Sequence, residues 1–270
     1  MKSAGQAITA KSNTADAATV MALTVLAGAG AALLHEALGH GSACLLAGGH
    51  NTLITAVSES CTVANGWIDA AGTLVNLAAG GVCWWWMRRV REAPRLRYFL
   101  WLLMAFNLLD GAGYFLYSGV GGIGDWAVVI SGLHPAWPWR TGLAVGGAIL
   151  YVAVLWLLLH ELVPFLPTNT GARRVCARRL MLLPYFTYGV FYVIAAVFNP
   201  ISPVLIAESA AAAAFGGTSG LWWGMEFVRY PVFGRPGPKL SLERRSRGWI
   251  LAGVCVAAAF IAVIGPGIRP

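Results

Sequence analysis

Two short stretches carry side chains able to do chemistry. His35-Glu36-Ala37-Leu38-Gly39-His40 sets two imidazoles and a carboxylate within six residues, and Asn107-Leu108-Leu109-Asp110-Gly111 adds a second acid. Two imidazoles, a ligating carboxylate and a carboxylate free to act as base are the parts of a catalytic zinc site with one position open for water. Both stretches lie in strongly apolar surroundings, where each ionisable group is costly and calls for a partner or a function. The plainer alternative is a polar cluster that ties helices together by hydrogen bonds.

The spacing constrains the geometry. On a regular α-helix, residues four apart are separated by about 40° and residues five apart by about 140°. His35 and His40 are five apart, so both reach one metal only if the helix bulges, for instance through a π-turn. Gly39 sits where such a distortion is tolerated. On an undistorted helix, Glu36 and His40 share a face, and Glu36, His40 and Asp110 become the natural trio, with His35 outside it. Asp125, beyond the Gly-rich segment Gly119 to Gly124, reads as a loop or cap residue and is the nearest spare carboxylate should Asp110 not serve.

The elements that must position these groups are membrane spans. Of 270 residues, 58% are hydrophobic and 11% charged, too few charges to cover a water-exposed surface but enough for a lipid-facing one. A span needs about 20 apolar residues. Seven runs qualify as candidates: Ala18 to Ala47, Trp67 to Met87, Tyr98 to Tyr117, Gly142 to Leu166, Leu180 to Phe198, the short alanine-rich Ile201 to Phe215, and Trp249 to Ile264. The expected fold is an all-α polytopic membrane protein of about seven transmembrane helices. The polar, Thr- and Val-rich stretch Asn51 to Asn65 adds a short β-like segment after the first helix. The division expected is a polar tail (1–17), a three-span core (18–119) and about four further spans (120–270).

The net charge of +8 is concentrated in three clusters: Arg88 to Arg97, Arg173 to Arg179, and Arg229 to Arg247. They follow the second, fourth and sixth runs. This alternation predicts a cytoplasmic N-terminus and basic cytoplasmic loops facing anionic lipid, rather than a nucleic-acid surface. Trp84, Trp85 and Trp86 beside Arg88 and Arg89 read as an interfacial aromatic belt. The polar stretch Met1 to Asp16 lacks a compact signal peptide with a cleavage site, so the first span is expected to be retained. Cys44 and Cys61 flank one outer loop and are placed to pair in an oxidising compartment.

The ordered motifs resemble the site-2 protease family of intramembrane zinc metalloproteases. His35 to His40 looks like that family's HE-x-GH helix with one residue inserted. Ala71-Gly72-Thr73-Leu74-Val75-Asn76 looks like its AGPxxN segment, with Thr73 where Pro is usual. Asn107 to Gly111 looks like its N…LDG motif, shortened and without the Pro. The resemblance covers roughly Ala18 to Gly119. It implies zinc held by His35, His40 and Asp110, with Glu36 as general base. It also implies that Asn76 helps hold substrate or the oxyanion, and that the substrate is a membrane-embedded protein bound by strand addition to the β-like stretch. The prokaryotic inner membrane is the expected location. The inserted residue strikes the ligand geometry itself.

Two other classes compete: a transporter or channel using the same intramembrane groups, and an inactive scaffold that keeps the fold. No internal repeat supports the transporter. A second His-Glu pair, His160-Glu161, falls near the inner surface with no further His at ligand spacing, and is expected to be interfacial. Glu208 lies in the sixth run, near the outer side.

Overall fold

The structure, a computed structural model, describes residues 15–230, 233 and 240–270. The expected tail therefore lies almost wholly outside the described residues, as do Arg235 and Lys239 of the third basic cluster. The chain is overwhelmingly helical with one two-stranded sheet.

Helix α1 (Ala17–Leu46) starts at Asp16, whose carboxylate accepts from the Thr19 backbone N–H at 2.9 Å, an N-cap that satisfies one orphan donor. Strands β1 (Asn51–Ile54) and β2 (Glu59–Cys61) form an antiparallel hairpin pairing Asn51 with Cys61 and Ile54 with Glu59. Cys44 and Cys61 are disulfide-bonded, tying the end of α1 to β2. Helices α2 (Gly66–Met87), α3 (Pro94–Gly121), short α4 (Asp125–Val129), α5 (Ala136–Phe165) and α6 (Gly171–Val197) follow. Next comes a broken helix α7 (206–224), built of a π-helix Ile206–Gly216, a 3-10 turn Gly217–Ser219 and an α-turn Gly220–Gly224. Helix α8 (Arg247–Ile264) is the last.

Five of these helices, α1, α3, α5, α6 and α8, are long and apolar enough to cross a membrane. The expectation of about seven narrows here. α2 is long but carries Asp69, Thr73, Asn76 and a Trp triplet, and α7 is broken by its change of helix type.

The molecule has two chemically different ends. At one, the basic clusters meet: Arg95 donates to the Arg244 carbonyl at 2.8 Å, Arg173 to the Val228 carbonyl at 2.8 Å, and Arg174 pairs with Glu226 at 2.9 Å. The start of α1 is there too, with the Asp16 N–H donating to the Leu242 carbonyl. At the other end lies the hairpin, and the chain's C-terminal segment returns to it, Ile54 and Ile268 exchanging two backbone hydrogen bonds of 2.9 Å.

Helices pack by close approach of small residues, as expected where lipid removes the hydrophobic drive between helices. The Gly119 and Gly147 positions show this between α3 and α5. A Cβ on Gly119 would lie 2.5 Å from the Ala144 nitrogen, and one on Gly147 2.5 Å from the Leu116 nitrogen. Large side chains fill the centre: Trp101, Tyr98, Phe106 and Tyr188 are fully buried.

Candidate metal centre

The middle of α1 is not α-helical. Residues Leu34–Gly41 form a π-helix, in which i→i+5 hydrogen bonding brings residues five apart onto one face. The five-residue spacing is therefore accommodated by the bulge, and His35 and His40 converge. Their rings meet edge to face with centroids 4.7 Å apart, and their Nε2 atoms are 3.1 Å apart. The undistorted-helix trio of Glu36, His40 and Asp110 does not form.

Helix α2 closes the site from the other side because two glycines allow it. A Cβ on Gly39 would lie 2.6 Å from the Gly72 Cα. A Cβ on Gly72 would fall on His40 Nε2 and 2.7 Å from His35 Nε2. Gly72 is thus the floor of the site, and a methyl group there would collide with both imidazoles.

The third donor comes from α4. The turn after α3 needs left-handed backbone at Gly122 (φ 71°) and Gly124 (φ 83°), conformations glycine adopts without steric cost. It carries Asp125 back over the histidines, helped by Trp126 packing on Phe115 at 4.7 Å. Asp125 Oδ2 lies 3.3 Å from His35 Nε2 and 3.4 Å from His40 Nε2. Among the described residues, His35, His40 and Asp125 form a compact group of potential metal donors. In the other such group, Cys44, Glu59 and Cys61, the sulfurs are spent in the disulfide.

Asp110, expected as the third ligand, is not in this group. It is buried on α3, where Tyr188 donates to its Oδ2 at 3.4 Å and its Oδ1 faces Gly217 with no hydrogen-bond partner. Asp125, rather than Asp110, stands beside the two histidines because the glycine turn folds α4 onto α2, whereas α3 directs Asp110 toward α6 and α7.

The fit to a metal can be tested on these atoms. Zinc bonds to nitrogen and oxygen of about 2.0–2.2 Å imply tetrahedral donor–donor edges of about 3.3–3.6 Å. The observed edges of 3.3 and 3.4 Å fall in this range and the third, at 3.1 Å, just below it. The hydrogen-bonding pattern agrees. His40 Nδ1 is 2.6 Å from the Ile68 carbonyl, so it carries the proton and leaves the Nε2 lone pair directed inward. His35 Nδ1 is 3.2 Å from the Asn76 amide, whose Oδ1 is buried without a partner. With the amide turned so that its oxygen faces the ring, Asn76 accepts from His35 Nδ1–H. That also directs the His35 Nε2 lone pair inward. Asp125 Oδ2 receives no hydrogen bond. With neutral imidazoles in these tautomers, three electron-pair donors face one point, an arrangement that suits a divalent cation.

Asn76 thus sits as an orienting partner of His35, where substrate or oxyanion contact was expected. Glu36 is buried and lines a cavity of about 20 Å³ together with His35, Asn76, Asp110 and Tyr114, room for about one water. The signal for Asp125 in the sequence was the Gly-x-Gly-Asp turn; nothing there fixed which way it folds.

Comparison of the chain with protein-family models, curated proteins and solved structures gives no match.

Proposed function

We propose that this chain is an intramembrane zinc metalloprotease that hydrolyses peptide bonds of membrane-embedded protein substrates, of the site-2 protease kind. The observation that carries the reading is the triangle of His35, His40 and Asp125 with zinc-sized edges, beside a buried glutamate facing a water-sized cavity.

When bound, zinc supplies a Lewis acid that polarises a carbonyl and makes water acidic near neutral pH. The chain's own groups do the rest. Ile68 and Asn76 fix the ring orientations of His40 and His35. Glu36 takes a proton from water in the adjoining cavity and delivers it to the leaving nitrogen as water adds across the peptide bond. The substrate must be locally unwound, since helical carbonyls are already hydrogen-bonded.

The reading includes a seven-crossing topology in which α2 and α7 join the five apolar helices. The basic end is cytoplasmic, with the N-terminus, and the membrane is a prokaryotic inner membrane. The disulfide at the hairpin end suits an oxidising outer side.

The test is metal analysis of the folded, detergent-purified protein. About one zinc per chain is expected. Glu36→Gln keeps that zinc and loses about 10²–10⁴-fold in peptide hydrolysis, the range of general-base catalysis. A folded wild type that takes up no zinc from excess sinks the reading, and favours a transporter or an inactive scaffold.

A further inference from the structure

A second, much larger cavity of about 670 Å³ lies between α3, α5 and α7. It shares Asp110, Tyr114, Ser209 and Ala213 with the water-sized cavity at His35 and Glu36. The two cavities therefore adjoin, with those four residues as the boundary, or throat, between them. Tyr114 stacks on His35, centroids 5.1 Å apart and planes 27° apart, so whatever passes the throat arrives against the candidate ligands.

Resting on the proposed protease reading, we infer that this groove is the substrate's way in and that Asp110 is a substrate-binding residue at its throat. The occupant is an apolar peptide segment, locally unwound, with a basic residue toward the mouth.

Three observations support this. The volume lies in the range of specific ligand sites. Asp110 lines both cavities and its Oδ1 is buried without a partner, and an unpaired buried carboxylate oxygen is costly unless a donor arrives. An unwound peptide brings backbone N–H donors; a lipid tail brings none. The charged side chains lining the groove, Asp110 and Glu208, are both acidic. Glu208 is exposed at the end of α3 away from the basic clusters, where its carbonyl accepts from Tyr117. Among the described residues it makes no ion pair, so it is free to meet a Lys or Arg.

Gly216 allows a test that spares the fold. It lines the groove, and a Cβ there meets nothing within 4 Å. The probe is a synthetic 20-residue Leu/Ala peptide flanked by Lys and carrying a benzophenone side chain, photo-crosslinked to the zinc-supplied full chain in detergent. Crosslinks are expected on residues 120–121 and 209–216. Gly216→Leu should cut them about tenfold or more, and so should Asp110→Leu, which removes an acceptor for a charge-assisted hydrogen bond. Zinc per chain should be unchanged in both. Glu208→Gln should lower the preference for Lys-flanked over Glu-flanked peptide by up to about fivefold, the scale of an exposed ion pair. Crosslinks confined to the hairpin or to other helix faces overturn the inference, as do undiminished crosslinks in zinc-replete Gly216→Leu. A wild type that binds no zinc but crosslinks along the groove removes the protease reading and leaves the groove standing.

Discussion

The chain contains the dipeptide His-Glu twice within its apolar helices, and the two copies are put to different use. His35-Glu36 lies in a π-helical stretch, faces a second His and an Asp, and is approached by the bare backbone of Gly72. His160-Glu161 lies near the end of α5, on regular α-helix. There His160 packs on Trp156 and Phe233, with ring centroids 3.9 and 4.9 Å away, and its Nδ1 is 3.1 Å from the Trp156 carbonyl. Glu161 accepts from the Trp84 indole at 2.9 Å and pairs with Arg97 at 3.7 Å. At the second pair His160 Nδ1 and both Glu161 oxygens meet complementary groups, and aromatic rings pack against the imidazole. At the first pair, two imidazole nitrogens and a carboxylate oxygen converge to within 3.1–3.4 Å of one another. The difference lies in helix type and in what the neighbouring helix brings, and residue identity does not decide it.

The most severe way to break this contrast is to give the first site the crowding of the second. Gly72→Ala places a methyl on the His Nε2 atoms. Zinc affinity should fall by at least about 100-fold, the upper end of what losing an outer-shell partner costs, because here the ligands themselves are displaced. Gly81→Ala on the same helix meets nothing within 4 Å and should leave zinc unchanged. Equal zinc content in both variants would remove Gly72 as the floor of the site. In the same assay Asp125→Ala should lose zinc and Asp110→Ala should keep it; the opposite result would restore Asp110 as the ligand.

A finer cut addresses ring orientation. Asn76→Leu leaves His35 Nδ1 without its partner, and zinc affinity should fall about 10–100-fold, as for other outer-shell partners. Asn76→Asp, which keeps an acceptor, should restore most of it. If Leu and Asp behave alike in zinc titrations of folded protein, Asn76 does not orient His35.

The same contrast explains how much could be read from sequence. The five-residue spacing with Gly39 inside it required a bulge if both histidines were to act together, and the π-helix Leu34–Gly41 supplies one. The β-like character of residues 51–65 appears as the hairpin, and the apolar runs as long helices. The third donor was not legible. Asp125 and Asp110 are both acids after apolar residues, and the choice between them depends on the backbone at Gly122 and Gly124 and on α4 docking against α2. Nor was the return of Ile268 to Ile54, a pairing across most of the chain with no local signal. α2 was read as a span from its apolar residues, while its polar positions Thr73 and Asn76 are buried toward the site and its neighbours. Those positions make it useful at the site and lower its apolar character together.

The smallest effect tests the second His-Glu pair as a staple rather than a site. Side chains of Arg97 and Glu161 are 11% and 17% exposed, so removing one leaves the other poorly solvated. Glu161→Ala also strands the Trp84 indole N–H. A loss of about 2–3 kcal/mol is expected, the scale of a stranded partner in a largely buried pair, with zinc content unchanged. Arg97→Met and Glu161→Met combined should cost less than the two single Met variants added, because the double variant leaves no unmatched charge. Thermal unfolding in detergent of the four proteins reads this cycle directly. Additive losses would mean that the two side chains act independently despite their proximity. Zinc lost with Glu161 would mean that the two ends of the molecule are coupled, and the contrast between a satisfied pair and an open one would fail.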